Sequence, residues 1–214
     1  MMTFCKMIGR NMQKFMKANG FASAKGVFYR IENDMAFCVN VEMPTGTLYS
    51  NCFVLPLYVP TEFCYMTYGV RLTIGMAKQD GNMENSAELA GELMSILSND
   101  IFPRFQTITS PDAFFRQVSS RELFAPYRCH ISDVFVQRLR MATAFYEKSY
   151  SKIPEICDEY TESLMHDPCM TSGCKKTYLD EIRFFRDTMA LSEQEKENIL
   201  AAIIKETGRA CFGL

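Results

Sequence analysis

The chain is poor in residues that announce chemistry. Of its 214 residues only two are histidine, His130 and His166, and none is tryptophan. Neither a P-loop nor a dinucleotide-binding glycine pattern occurs, which excludes the common phosphate cradles. No run approaches the roughly 18 apolar residues that a membrane-spanning helix takes. Charge of either sign is in no excess: 23 Lys and Arg stand against 25 Asp and Glu, a net charge of −2. The basic footprint of a nucleic-acid binder is therefore missing. Lys6 and Arg10 are followed by no apolar stretch of the kind a signal peptide carries, so the expected compartment is the cytoplasm. The nine cysteines are odd in number and scattered through apolar patterns. They read as reduced, buried small hydrophobes rather than as a disulfide framework.

What is present is a core. Apolar residues make up 48% of the chain, with 17 Phe and 15 Met, enough to fill the interior of a soluble globular protein. Phe4, Ile8, Met12 and Phe15 recur at helical period over residues 3–19, and Asn19-Gly20 marks the helix end. Four strands are then expected, near 26–32, 35–43, 48–59 and 65–74. Asn33-Asp34 fits a two-residue hairpin turn, and Pro44-Thr45-Gly46 a second turn. Pro56 places the third strand at an edge, at a bulge, or at its own end. Residues 76–84 read as a polar loop. A helix starting near Asn85 or Ser86 is expected to break or kink at Pro103. Ser110-Pro111-Asp112 announces another helix, and Pro126 closes the region after it. Beyond Ile131 the pattern is wholly helical, with segments near 132–149, 154–165, 175–190 and 193–207. Ser192 and Glu195 form a capping box at the head of the last one, and Gly208 is its expected stop. The fold class is α+β, with an antiparallel sheet first and helices after. It divides as a sheet domain 1–126 with a helical subdomain 127–214, or as one continuous unit.

The helix, then Gly20-Phe21, then Gly26-Val27-Phe28-Tyr29-Arg30 and the strand Phe37-Cys38-Val39-Asn40-Val41 resemble an uncharacterised bacterial domain family of unknown function. The likeness covers about residues 3–75, with Ala22-Ser23 standing where the family carries a basic pair. It implies an α+β fold in a cytoplasmic bacterial protein and transfers no catalytic residue. Tyr150 to Pro168 resembles the second half of a tetratricopeptide repeat through Tyr160, Ser163 and Pro168, although Ile156 stands where a small residue is usual. A solenoid takes about three repeats, so one partial match implies only a helix hairpin.

Three constellations are candidates for chemistry. Cys157, His166, Cys169 and Cys174 offer four zinc-type ligands. Their spacing departs from familiar zinc templates, so the favoured reading keeps Cys157 in a helix core and the loop thiols reduced, with no cofactor. The adjacent Cys129-His130, or Cys129 with His166, would need partners brought in from elsewhere to act as a nucleophile couple. Arg30, Asn40, Glu42 and Arg71 are polar residues on otherwise apolar strands and are candidate ligand-binding groups. A two-residue turn pairs Arg30 with Phe37 and puts Asn40 and Glu42 on the opposite face, so the four cannot form one site unless the turn is longer. A solvated sheet face with ordinary salt bridges is the preferred account of them. The functional expectation is a non-enzymatic protein–protein recognition module, immunity-like or regulatory. Its partner is another protein, not nucleic acid or membrane. The alternative is a small-molecule binder or enzyme with a pocket between sheet and helices.

Overall fold

The computed structural model describes residues 4–44, 46–64, 66–76, 83–125, 127 and 131–214. Thr45, Tyr65, Pro126, the Cys129 and His130 pair and most of the 76–84 loop lie outside them.

The first helix, α1 (Phe4–Ala18), buries Ile8, Met12 and Met16 completely. Gly20 closes it at φ +82°, a backbone angle that costs glycine little. The Phe21 N–H reaches back to the Met16 carbonyl at 3.0 Å and the Gly20 N–H to Lys17 at 3.1 Å. These two bonds satisfy helix-end carbonyls. They also turn Phe21 inward, where it stacks on Phe102 with ring centres 5.1 Å apart.

Five strands follow: β1 (Ala22–Ala24), β2 (Val27–Glu32), β3 (Met35–Glu42), β4 (Thr47–Pro56) and β5 (Tyr68–Met76). They lie side by side in chain order, each antiparallel to the next. Asn33 and Asp34 adopt φ of 50° and 55° in the hairpin turn, and Arg30 pairs with Phe37. Strand β1 escapes the sequence pattern, because Ala-Ser-Ala carries no β signal of its own. It exists because the Lys25-Gly26 turn, with φ of 49° and 83°, folds it onto β2. Strand β4 is internal and ends at Pro56, so the residue without an N–H falls on the last rung of the ladder. Strand β5 begins at Tyr68, not near residue 65.

One sheet face, carrying Phe37, Val39, Cys52, Val54, Val70 and Leu72, packs with α1 and the helices after the sheet into the largest core. Helix α2 (Met83–Ile96) starts slightly before the expected cap. Ser86 is therefore not a cap but a buried residue that accepts a bond from Asn11 Nδ2. Pro103 does not break the run. A π-helical turn at Leu97–Ile101 leads into α3 (Phe102–Thr107), with the Phe102 N–H bonded to the Leu97 carbonyl. The extra residue in that turn loosens the ladder where the proline ring would otherwise clash with a carbonyl. Ser110 caps α4 (Pro111–Ser119) by accepting from the Ala113 N–H at 3.1 Å.

Asp100 in the π-turn accepts from the Tyr127 hydroxyl and, at 2.8 Å, from Arg104 Nε. The Tyr127 hydrogen bond first, and Arg104 with it, hold the Asp100 carboxyl below its usual range, and Asp100 in turn raises the Tyr127 phenol. A carboxylate with a lowered folded pKa adds stability above its unfolded pKa and loses it as pH falls through the folded value. Tyr127→Phe should therefore cost about 1 kcal/mol near neutral pH. In urea titrations the gap from wild type should shrink as pH falls below the ordinary carboxylate range; a gap unchanged in strong acid would refute the linkage.

The helical part comprises α5 (Asp133–Tyr146), α6 (Ile153–His166), α7 (Ser172–Thr188) and α8 (Glu193–Phe212). Helix α5 is a shared wall. Leu139 and Ala142 enter the first core, while Val134, Met141 and Phe145 enter a second core with α6 and α7. The capping box at Ser192 and Glu195 is present. Gly208, however, does not stop α8. The helix runs on to Phe212 and ends at Gly213, φ +77°. The burial of Cys211 and Phe212, 1% and 5% exposed, outweighs the roughly 1 kcal/mol that a mid-helix glycine costs. Those two residues cover the other sheet face, over Ala36, Cys38, Phe53 and Leu55, and Phe212 stacks on Tyr29 at 4.3 Å. The stretch from Tyr150 to Pro168 that resembles a tetratricopeptide repeat forms a short 3-10 turn at Tyr150–Lys152 followed by α6. Among the described residues no helix is long and apolar enough to cross a membrane.

Candidate functional site

The polar residues of the sheet divide between its faces. Arg30 lies on the α1 side. Its guanidinium sits 5.2 Å from the Phe21 ring centre and 5.7 Å from that of Phe37. Nη1 donates to the Asn19 carbonyl at the end of α1 (3.2 Å), and Nε lies 2.9 Å from Glu32. Arg30 thus closes a helix terminus.

On the other face Asn40, Glu42 and Arg71 come together through Asn51. Asn51 Nδ2 donates to Asn40 Oδ1 at 2.8 Å and to Glu42 Oε1 at 2.9 Å, and Arg71 Nη2 lies 2.7 Å from the same Glu42 oxygen. The Arg71 guanidinium also lies 4.2 Å from the ring centre of Tyr49. Both members of the ion pair are more than a third exposed, 45% and 39%, so it adds at most about 1 kcal/mol. Asn51 is the missed member of this group. Its signal was a lone amide inside the apolar run of β4. The cluster binds neighbouring strands to each other, and its donors are largely spent on its own acceptors.

The four candidate zinc ligands do not converge. Cys157 is wholly buried against Met141 Sδ (3.7 Å) and the Ile182 carbonyl (3.8 Å), while Cys169 and Cys174 are exposed. The ring of His166 bonds the Glu162 carbonyl one helical turn back. Among the described residues no group of three or more metal-type side chains is placed to hold an ion. Burial raises the Cys157 thiol and pushes the Cys52 thiol up to about 12, so both remain protonated and behave as hydrophobes. The Cys129–His130 candidate lies outside the described residues.

A concave surface lies elsewhere. A cleft of about 790 Å³ opens between α7, α8 and the β4–β5 connection. Phe63 of that connection, 68% exposed, and Phe184 of α7, 44% exposed, are among its apolar walls, with Ile199 and Ile203 of α8. Its polar lining is Arg138 of α5 paired with Glu181 of α7, the side chains 6% and 12% exposed. Arg138 Nε donates to Glu181 Oε1 at 2.8 Å and Nη2 to Oε2 at 2.7 Å, the two-pronged geometry that a guanidinium favours. Burial works against the charge of Arg138, but the Glu181 carboxylate overrides it and holds the guanidinium well above its ordinary pKa. Tyr178 stacks against it, 5.3 Å from ring centre to Cζ. Arg138 also donates to the Pro60 carbonyl, and Thr207 Oγ1 to that of Val59. The buried pair therefore does more than line the cleft. It anchors the connection that carries Phe63, and so fixes the distance between the walls.

Sequence reading missed this site because its parts are far apart in the chain. Glu181 stands in the sequence among Lys175, Lys176, Arg183 and Arg186, and that spacing gives no sign that it is buried. Phe63, flanked by Thr61 and Glu62 in a polar connection, was the one local signal. Neither Arg30 nor Arg71 lines the cleft. Comparison with family models, curated proteins and solved structures gave no match.

Proposed function

We propose that this chain is a non-enzymatic recognition module, immunity-like or regulatory, that works in the cytoplasm and docks a partner protein in the α7–α8 cleft. The observation that carries this reading is the exposure of Phe63 and Phe184 around a polar floor whose charges already satisfy each other. Such a site gains free energy from apolar side chains pushed into it, and aromatic residues around a desolvated centre are typical interface anchors. The elongated course of α7 and α8 suits an amphipathic partner segment laid between them. The likeness to the bacterial domain family belongs to the same proposal, since its Gly-Phe turn and Phe-Tyr-Arg strand form the scaffold and supply no reactive group.

The test is affinity capture from the native host, followed by titration of the captured partner. Phe63→Ser/Phe184→Ser should weaken binding at least tenfold with far-UV circular dichroism unchanged. Equal capture by the variant would remove the cleft from the account. The cleft volume also falls within the range of small-molecule sites. A metabolite-induced thermal shift abolished by the same variant, with no protein captured, would select the small-molecule reading.

A further inference from the structure

A second site lies between α1 and the β1–β2 hairpin and shares no lining residue with the α7–α8 cleft. Helix α1 carries Lys6, Arg10, Lys14 and Lys17 and contains no acidic residue. The spacings of four, four and three residues put all four cations on one stripe, directly opposite the buried Ile8, Met12 and Met16. All four are exposed, and among the described residues none forms an ion pair. From Lys6 to Lys17 the stripe runs about 17 Å at the helical rise. Beside it, a cleft of about 440 Å³ is lined by Lys6, Gly9, Arg10 and Gln13 of α1 and by the β1–β2 hairpin. Its apolar surface is Val27, Phe28 and Val41, the last two only half-buried.

An unneutralised row of cations on a chain of net charge −2 is a local inversion of sign, and such fields select and steer an oppositely charged partner. The row extends past the cleft, which a compact anion would not use. The apolar cleft gives a phosphodiester backbone nothing to bind. We propose that α1 and this cleft form a docking site for an acidic polypeptide segment. Its carboxylates lie along Lys6, Arg10, Lys14 and Lys17, and one apolar side chain enters between α1 and the β1–β2 hairpin.

Fluorescence anisotropy with the full chain and a labelled peptide of alternating Asp and Glu around a single Leu tests this. Saturable binding should weaken as salt rises. Lys6→Glu/Arg10→Glu, both at exposed positions, should reduce affinity at least tenfold without lowering Tm. Replacing the Leu of the probe by Ser should weaken binding several-fold, which a purely ionic contact would not show. Phe63→Ser/Phe184→Ser should leave this binding unchanged, so the two sites fail or succeed separately. Absence of saturable binding, indifference to the charge reversal, or equally tight binding of a single-stranded oligonucleotide of matched charge would each overturn the proposal.

Discussion

Replacing Glu181 by Leu should destabilise the fold by about 3–5 kcal/mol, because it strands a charge that has nowhere to go. The guanidinium of Arg138 stays protonated at any accessible pH. It lies 6% exposed between Tyr178 and the Pro60 carbonyl, with Glu181 as its only anionic partner at hydrogen-bonding distance among the described residues. The double replacement Arg138→Met/Glu181→Leu should recover most of the loss, since an apolar pair of similar volume removes both desolvation costs together. Urea unfolding of wild type, single and double variants gives the comparison. If the single and double variants unfold at the same midpoint, the pair is not a buried charge couple. The double variant should nevertheless bind the cleft partner less well, because the Pro60 carbonyl loses its tether and Phe63 its fixed position.

Phe185→Ala should cost about 3–5 kcal/mol as well, by a different route: lost burial and a cavity in a close-packed helical core. Phe185 is 0% exposed and meets Phe145 edge-on at 5.2 Å. The more telling readout is where the loss is felt. Because α5 belongs to both cores and Phe212 covers the sheet, the loss should reach strands β3 and β4, seen as faster amide hydrogen exchange there in a single cooperative transition. Unchanged protection of the sheet would instead mark two independent domains, with their boundary near residue 127.

Local features were legible because local physics decides them. The left-handed closure at Gly20, the Asn33-Asp34 turn and the Ser192–Glu195 cap each follow from residues within a few positions of one another. The hairpin register came with them, and with it the placement of Arg30 on the face opposite Asn40 and Glu42. Features set by distant contacts were not legible. Strand β1 depends on its neighbour for its conformation. The passage of α8 through Gly208 depends on what Cys211 and Phe212 touch. Ser86 resembles a cap until Asn11 is known to lie against it. The cleft combines α5, α7, α8 and the β4–β5 connection, and no sequence spacing encodes that meeting. The spacing of Cys157, His166, Cys169 and Cys174 departed from zinc templates and favoured Cys157 in a helix core, and Cys157 lies buried there against Met141.

The reach of α8 across the sheet has a consequence for biosynthesis. Ala36, Cys38, Phe53 and Leu55 leave the ribosome long before Cys211 and Phe212 are made. At ordinary elongation rates that interval is on the order of ten seconds. During it the meander stands with one greasy side bare, a surface that invites chaperones or pairing between neighbouring nascent chains until the last helix arrives to close it.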